Sequence, residues 1–290
     1  MSVPKPKSLW SLLLLLPPIM GVILLLPRLA QFVGIGVGFV AWPWQFDFTE
    51  GVDLDIVNLV AHGTNIYGHF GPDAFVSAPY TPLYFLVNAV TTRLGGLSFG
   101  PGRAMSLGAT VLIAVVIGYI VWLSGKRWAV SADEWRGAAV VAPAPVAVRL
   151  LLPACAVFAG ALWLSLSPVI VWGALYTPNM PALFFGVAGV AWTLTFWRGR
   201  WVYWGIAFFL LAFYTKQSAV DGAVAATLWL LAVRFRVGVR YALALGGSVG
   251  LSFVLLNFLL DGGLWQHAFA NQILPFGLSR FAVSAQKLVG

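Results

Sequence analysis

Charge is what this chain of 290 residues has least of: only 9% of it is Asp, Glu, Lys or Arg. A water-soluble domain carries about 25%, and here 60% of the residues are hydrophobic. That balance excludes a soluble globule and makes an integral membrane protein the expectation. Cysteine is nearly absent. The one copy, Cys155, falls within an apolar run, which excludes an intrachain disulfide framework and a cysteine metal site; it reads as a small core residue. Three histidines are present, and His62, His69 and Asp73 match no common ligand spacing, so no metal and no other cofactor is expected. The 9 acidic residues are outnumbered by 17 basic ones, a net charge of +8. The cations cluster in short connections between apolar runs, as the positive-inside bias produces, with no basic stripe interleaved with aromatics. No nucleic-acid partner is expected.

What is abundant is apolar sequence of bilayer length. A helix needs about 20 apolar residues to cross the hydrocarbon, and segments of that kind cover roughly 9–27, 103–124, 147–166, 178–197, 201–215, 218–233 and 241–260. The expected fold is all-α and polytopic, a single transmembrane domain over 1–290 with about seven spans. The first apolar run is longer than the core of a secretory signal and lacks an Ala-x-Ala-like site after it, so it is read as a retained span kinked at Pro17-Pro18. Residues 28–41 either extend that span or lie at the interface. Gly34, Gly36 and Gly38 have no strand–turn–helix context and suit close helix packing rather than a nucleotide. With the N-terminus cytoplasmic, Lys5, Lys7, Lys126, Arg127, Arg136, Arg149, Arg198, Arg200, Arg234, Arg236 and Arg240 fall inside. Arg28, Arg93, Arg103, Lys216, Arg280 and Lys287 fall outside, and the excess inside fits that orientation. The sequence stops within a polar-aromatic outer segment, 261–290, and a chain continuing past Gly290 is the expectation.

The first outer loop, 42–101, holds Asp47, Glu50, Asp53, Asp55 and Asp73, five of the 9 acids. Within it, 51–62 has helical spacing. Val52, Ile56, Leu59 and Val60 share one face, Asp55, Asn58 and His62 the opposite one, and Gly63 is a natural stop. Such a helix is expected to lie flat at the interface with its apolar face in lipid. Thr81 and Pro82 suit the N-cap and first position of a second interfacial helix ending at Gly95-Gly96.

Several short motifs run through this region in order. They are Thr49-Glu50-Gly51 with Asp47 just before, Gly63 through Tyr67 (GTNIY), Tyr80-Thr81-Pro82-Leu83, and Gly102-Arg103 with Ser106-Leu107. Further along come Pro178-Asn179-Met180 and Tyr214-Thr215-Lys216-Gln217. Together, over about 42–280, they resemble the membrane glycosyltransferases of the GT-C class, in particular bacterial relatives of dolichyl-phosphate-mannose protein mannosyltransferase and of lipid A aminoarabinose transferase. Asn179 stands where the family often has Asp, and two residues separate Asp47 from Glu50 where the family's acidic pair is often adjacent. The resemblance implies a sugar carried on a polyprenyl phosphate, an active site at the outer face of the cell (plasma or inner) membrane, and inversion at the anomeric carbon. The acceptor would be a lipid, a glycan or a protein.

That chemistry needs a base for the acceptor's proton and a cation for the departing phosphate. Glu50 is the first candidate base and Asp47 the second; a solvated acid or a helix cap is the plain reading of either. Arg103 and Lys216, at outer ends of spans, are the candidate phosphate ligands, with snorkelling to lipid headgroups the alternative. Tyr80, Gln217, Tyr67 and His62 are candidate hydrogen-bonding partners of donor or acceptor. A transporter or flippase, or a non-catalytic relative of the glycosyltransferases, is the rival expectation.

Overall fold

The computed structural model describes residues 13–68, 77–135 and 146–272, and every regular element among them is helical. The elements are α1 (Leu16–Ala41), α2 (Phe48–Ala61), α3 (Leu83–Gly95), α4 (Gly100–Trp135), α5 (Val146–Ser165) and α6 (Ser167–Trp172). They continue with α7 (Asn179–Phe196), α8 (Gly205–Thr215), α9 (Asp221–Val233), α10 (Phe235–Leu259) and α11 (Gly263–Ala268). Short 3-10 turns precede α1 and α8 and follow α11. Each apolar segment expected from the sequence is helical over most of its described residues. Among the described residues, four helices are long and apolar enough to cross a membrane: Leu13–Ala41, Gly100–Arg127, Asn179–Phe196 and Phe235–Leu259. The first is unbroken through 28–41, which settles those residues as part of the helix. Pro17 and Pro18 do not kink it. They sit in its first turn, where the missing N–H has no intrahelical partner to lose.

Large side chains such as Leu24, Val33 and Val37 on α1, and Leu243, Leu251, Val254 and Phe258 on α10, stand exposed. Long apolar helices that keep their bulky side chains outside fit a membrane protein. Helix contact is made by small residues instead. A Cβ on Gly118 of α4 would lie 2.8 Å from the carbonyl oxygen of Ala156, and one on Gly160 of α5 would lie 2.9 Å from that of Ala114. The two backbones therefore touch directly.

All the helix ends that matter for the site meet at one end of the bundle. The C-terminus of α1, the N-termini of α4 and α7, the C-terminus of α8, and α2, α3 and α11 are joined there by hydrogen bonds and by an aromatic-rich core of Ile56, Val57, Tyr84, Phe85, Tyr176 and Leu264. Cations populate the opposite end, where Arg127 donates to the Thr195 carbonyl and Arg234 to those of Trp197 and Arg198.

The packing of α4 on α5 yields a first prediction. Gly118→Leu or Gly160→Leu forces the two backbones apart and should cost about 1–3 kcal/mol, measured as a lower melting temperature in detergent. Gly34→Leu, where a Cβ meets nothing within 4 Å, should leave it unchanged.

Candidate functional site

Helix α2 starts where the sequence supplies a cap. The Asp47 carboxylate accepts from the Thr49 N–H at 2.8 Å and from the Thr49 hydroxyl, which holds its pKa below the usual carboxylate range. The helix then turns Glu50, Asp53, Ile56, Val57 and Ala61 inward and leaves Asp55 exposed. Both carboxylates are on the buried face, whereas the alternation of Val52, Ile56, Leu59 and Val60 had pointed to a purely apolar one.

Glu50 and Arg103 are both fully buried and form a two-pronged ion pair, Nε to Oε1 at 2.9 Å and Nη2 to Oε2 at 2.7 Å. Arginine has five N–H donors and a carboxylate about four acceptor sites; here every one is used. The other three arginine donors reach the carbonyls of Phe39 (2.9 Å), Trp42 (2.7 Å) and Trp44 (2.8 Å). Glu50 also accepts from the backbone N–H of Phe46 (2.8 Å) and of Tyr176 (2.7 Å). Phe46 and Phe99 sandwich the guanidinium, each ring centroid 4.7 Å away. Gly102 permits this closure, since a Cβ there would collide with the Tyr176 ring. Burial pushes the Glu50 carboxyl up, but Arg103 and the two backbone donors outweigh it and the net shift is downward. Glu50 is thus a committed anion. Arg103, likewise, has no donor left for a phosphate.

One turn further along α2, Asp53 is 1% exposed, and its Oδ2 has no hydrogen-bond partner among the described residues. Burial pushes its carboxyl up to about 8, with Lys216 pulling the other way and the charges of Glu50 and Asp47 adding to the rise. Lys216, the first residue after α8, is half-buried, and burial lowers its pKa against the pull of Asp53. Its Nζ donates to Asn179 Oδ1 at 2.5 Å and lies 5.5 Å from the Tyr80 ring centroid. The hydroxyl of Tyr84, another buried group, has no partner among the described residues either. Burial, the largest cause, and the charge of Asp53 raise Tyr80 to about 12 and Tyr84 well above its ordinary value.

The remaining sequence candidates have structural ties. Gln217 donates to the carbonyls of Pro79 (2.8 Å) and Ala268 (2.7 Å), pinning the α8–α9 turn to α11, while its Oε1 is buried and unpaired among the described residues. Tyr67 donates to the Tyr80 carbonyl at 2.7 Å. His62 is the exposed C-cap of α2, its Nδ1 2.8 Å from the carbonyl of Asn58. Thr81 does not cap α3; Pro82 takes that position, and the Thr81 hydroxyl donates to the Phe213 carbonyl at 2.6 Å. His69, Asp73, Lys5, Lys7, Arg280 and Lys287 lie outside the described residues. Among those described, no group of three or more His, Cys, Asp or Glu is arranged to hold a metal.

Two of the four predicted charged residues, Glu50 and Arg103, thus meet each other. Lys216 meets Asn179 and the field of Asp53, and Asp47 stands apart at the surface. Asp53 was the group sequence reading passed over. Its signal was the stripe Asp53, Val57, Ala61 at i, i+4, i+8, which continues the inward face from Glu50.

An apolar groove of about 450 Å³ runs beside this cluster, walled by α3, α4, α7 and α8 through residues that include Val87, Met105, Leu112 and Phe184; Tyr84 and Thr215 also line it. No protein-family model, curated protein or solved structure matches the chain.

Two outcomes follow from these pairs. Arg103→Lys cannot reproduce the planar fork, and leaving Glu50 buried without its partner should cost about 3–5 kcal/mol, visible as loss of monodisperse protein on size exclusion. Asp53 has a folded pKa near 8 against 3.8 for the free group. Its contribution to stability is therefore complete below about pH 4 and is lost as pH rises toward and through 8. Melting curves should show Asp53→Asn gaining on the wild type steadily between pH 5 and 8, then running parallel to it.

Proposed function

We propose that this chain is a membrane glycosyltransferase that moves a sugar from a polyprenyl-phosphate donor to an acceptor at the outer face of the cell membrane, with inversion at the anomeric carbon. The observation that carries the reading is the position of Lys216. It is a half-buried cation with one hydrogen-bond partner among the described residues, and it directly follows Thr215, which lines the apolar groove. A lipid-linked anion is the ligand whose two halves suit such a junction. An isoprenoid tail takes the groove and a phosphate takes the ammonium, in surroundings dry enough to strengthen the charge-assisted bond.

In this reading the helices from α1 to α10 make about seven crossings. The N-terminus is cytoplasmic, and the cationic end with Arg127, Arg198 and Arg234 faces the cytoplasm. The donor phosphate sits on Lys216, with Asn179 steering the ammonium and Tyr80 beside it. An acceptor hydroxyl attacks the anomeric carbon from the side opposite the phosphate, and the negative charge that develops on the leaving oxygen is met by Lys216. Glu50 and Arg103 hold the floor on which this happens and take no part in the transfer. A transporter or flippase would gather its polar groups at the bilayer midplane on broken helices; here they cluster at helix ends, which favours the enzyme.

Radiolabelled polyprenyl-phosphate sugars, mannose and aminoarabinose included, offered to purified protein in lipid nanodiscs test this. Lys216→Gln should weaken binding of polyprenyl phosphate ten- to a hundredfold, the equivalent of about 1.5–3 kcal/mol for a lost charge-assisted bond, and Lys216→Arg should restore part of it. Wild-type protein that neither binds polyprenyl phosphate nor transfers or hydrolyses any donor would be a carrier or scaffold, not this enzyme.

A further inference from the structure

We infer that Asp53 is the general base of the transfer, taking the proton of the acceptor hydroxyl on its Oδ2 while Lys216 holds the departing phosphate. The inference rests on the reading of the protein as a polyprenyl-phosphate-sugar transferase and names the residue that reading leaves open.

A base needs a free lone pair, and the carboxylates of α2 differ in this. Glu50 accepts four hydrogen bonds. Asp47 is taken up as the cap of the helix by Thr49, and Asp55 is exposed. Asp53 alone of the helix's acids is both buried and left with an unpaired oxygen among the described residues. An unpaired buried polar atom costs about 1–3 kcal/mol, and a second one close by strengthens the argument. Tyr84 is 1% exposed and its buried hydroxyl has no partner among the described residues; the residue feels the charge of Asp53 and also lines the apolar groove. The two groups offer an acceptor and a donor to one hydroxyl-bearing ligand. Tyr84 lines the groove and feels the charge of Asp53, which in turn feels that of Lys216, so the cluster links the groove to the cation.

The charged and titratable groups facing Asp53 are Glu50 and Asp47 from its own helix, Lys216 from the α8–α9 turn, Tyr80 and Tyr84 from the α3 region, and Tyr176 before α7. Burial and the two acids hold the carboxyl up at about 8 against Lys216, within the range where a base is most effective near neutral pH. The step balances. The acceptor O–H bond breaks and an O–C bond forms at the anomeric carbon as the C–O bond to phosphate breaks. The proton goes to Asp53, and the electron pair leaves on polyprenyl phosphate, whose second negative charge Lys216 meets. No co-reactant is required.

The test compares wild type, Asp53→Asn and Asp55→Asn, the last an exposed acid of the same helix, in nanodiscs with the same donor panel. Asp53→Asn should lower kcat at least a hundredfold while donor KM and polyprenyl-phosphate Kd stay within threefold. It should also erase the rise of kcat/KM through about pH 8. Asp55→Asn should match the wild type. An Asp53→Asn variant that keeps kcat within tenfold overturns the inference and leaves the transferase reading intact. So does one whose loss falls on donor affinity, which would make Asp53 a partner of Lys216 only. Wild-type protein with neither turnover nor lipid-phosphate binding overturns both. Should Asp53→Asn fail to fold, Asp53→Glu decides: a slower enzyme with its pH limb moved supports the base, and unchanged kcat and pH profile overturn it.

Discussion

The guanidinium of Arg103 accounts for more of this architecture than any apolar contact. It ties the end of α1, through the carbonyls of Phe39 and Trp42, to the linker at Trp44 and to α2 through Glu50. Glu50 carries the same network on to Tyr176 before α7. A helix that has just ended leaves carbonyls unsatisfied, and in a setting without water those groups need an internal donor. Arg103 supplies one to Trp42, adds a second donor to the Phe39 carbonyl, which also accepts from the Trp42 N–H, and donates once more to Trp44 in the linker. Its cost of burial is repaid only because every donor is matched, and so the pair fixes where α2 lies and which of its faces turns inward.

That placement separates structure from chemistry within a single helical turn. Glu50 and Asp53 are three residues apart on the same buried face, yet their environments push them in opposite directions: one is drowned in donors and kept anionic, the other is desolvated and pulled toward the neutral acid. Divergent neighbours of this kind are how one scaffold holds a permanent charge beside a group able to gain and lose a proton near neutral pH.

The sequence disclosed the helices well because their signal is length and hydropathy, which burial in protein or in lipid both respect. It also disclosed α2 and α3, through the spacing of Val52, Ile56 and Leu59 and the break at Gly95-Gly96. It did not disclose orientation. The helical spacing of 51–62 sets Val52, Ile56, Leu59 and Val60 against Asp55, Asn58 and His62 and says nothing of where Glu50 and Asp53 turn; the partner that draws Glu50 inward, Arg103, is 53 residues away. Arg103 and Lys216 look alike in the sequence, each a cation at a helix end. Only the count of available acceptors around them tells a saturated fork from a half-open ammonium. Thr81 shows the same limit. Its placement before Pro82 fits a cap, but a long-range carbonyl at Phe213 takes its hydroxyl instead.

The brevity of α9 has a consequence for the surrounding lipid. Its 13 residues extend about 20 Å, against a hydrocarbon thickness of about 30 Å. In the proposed seven-crossing arrangement, acyl chains packed along it would shorten or splay, the bilayer would be dimpled on that flank, and headgroup water would dip toward the turn that carries Lys216. Hydrophobic mismatch would then be a lever on the protein: thicker host membranes would flatten the dimple at an energetic cost, thinner ones would relax it, and the polarity around that turn would follow the acyl-chain length of the membrane.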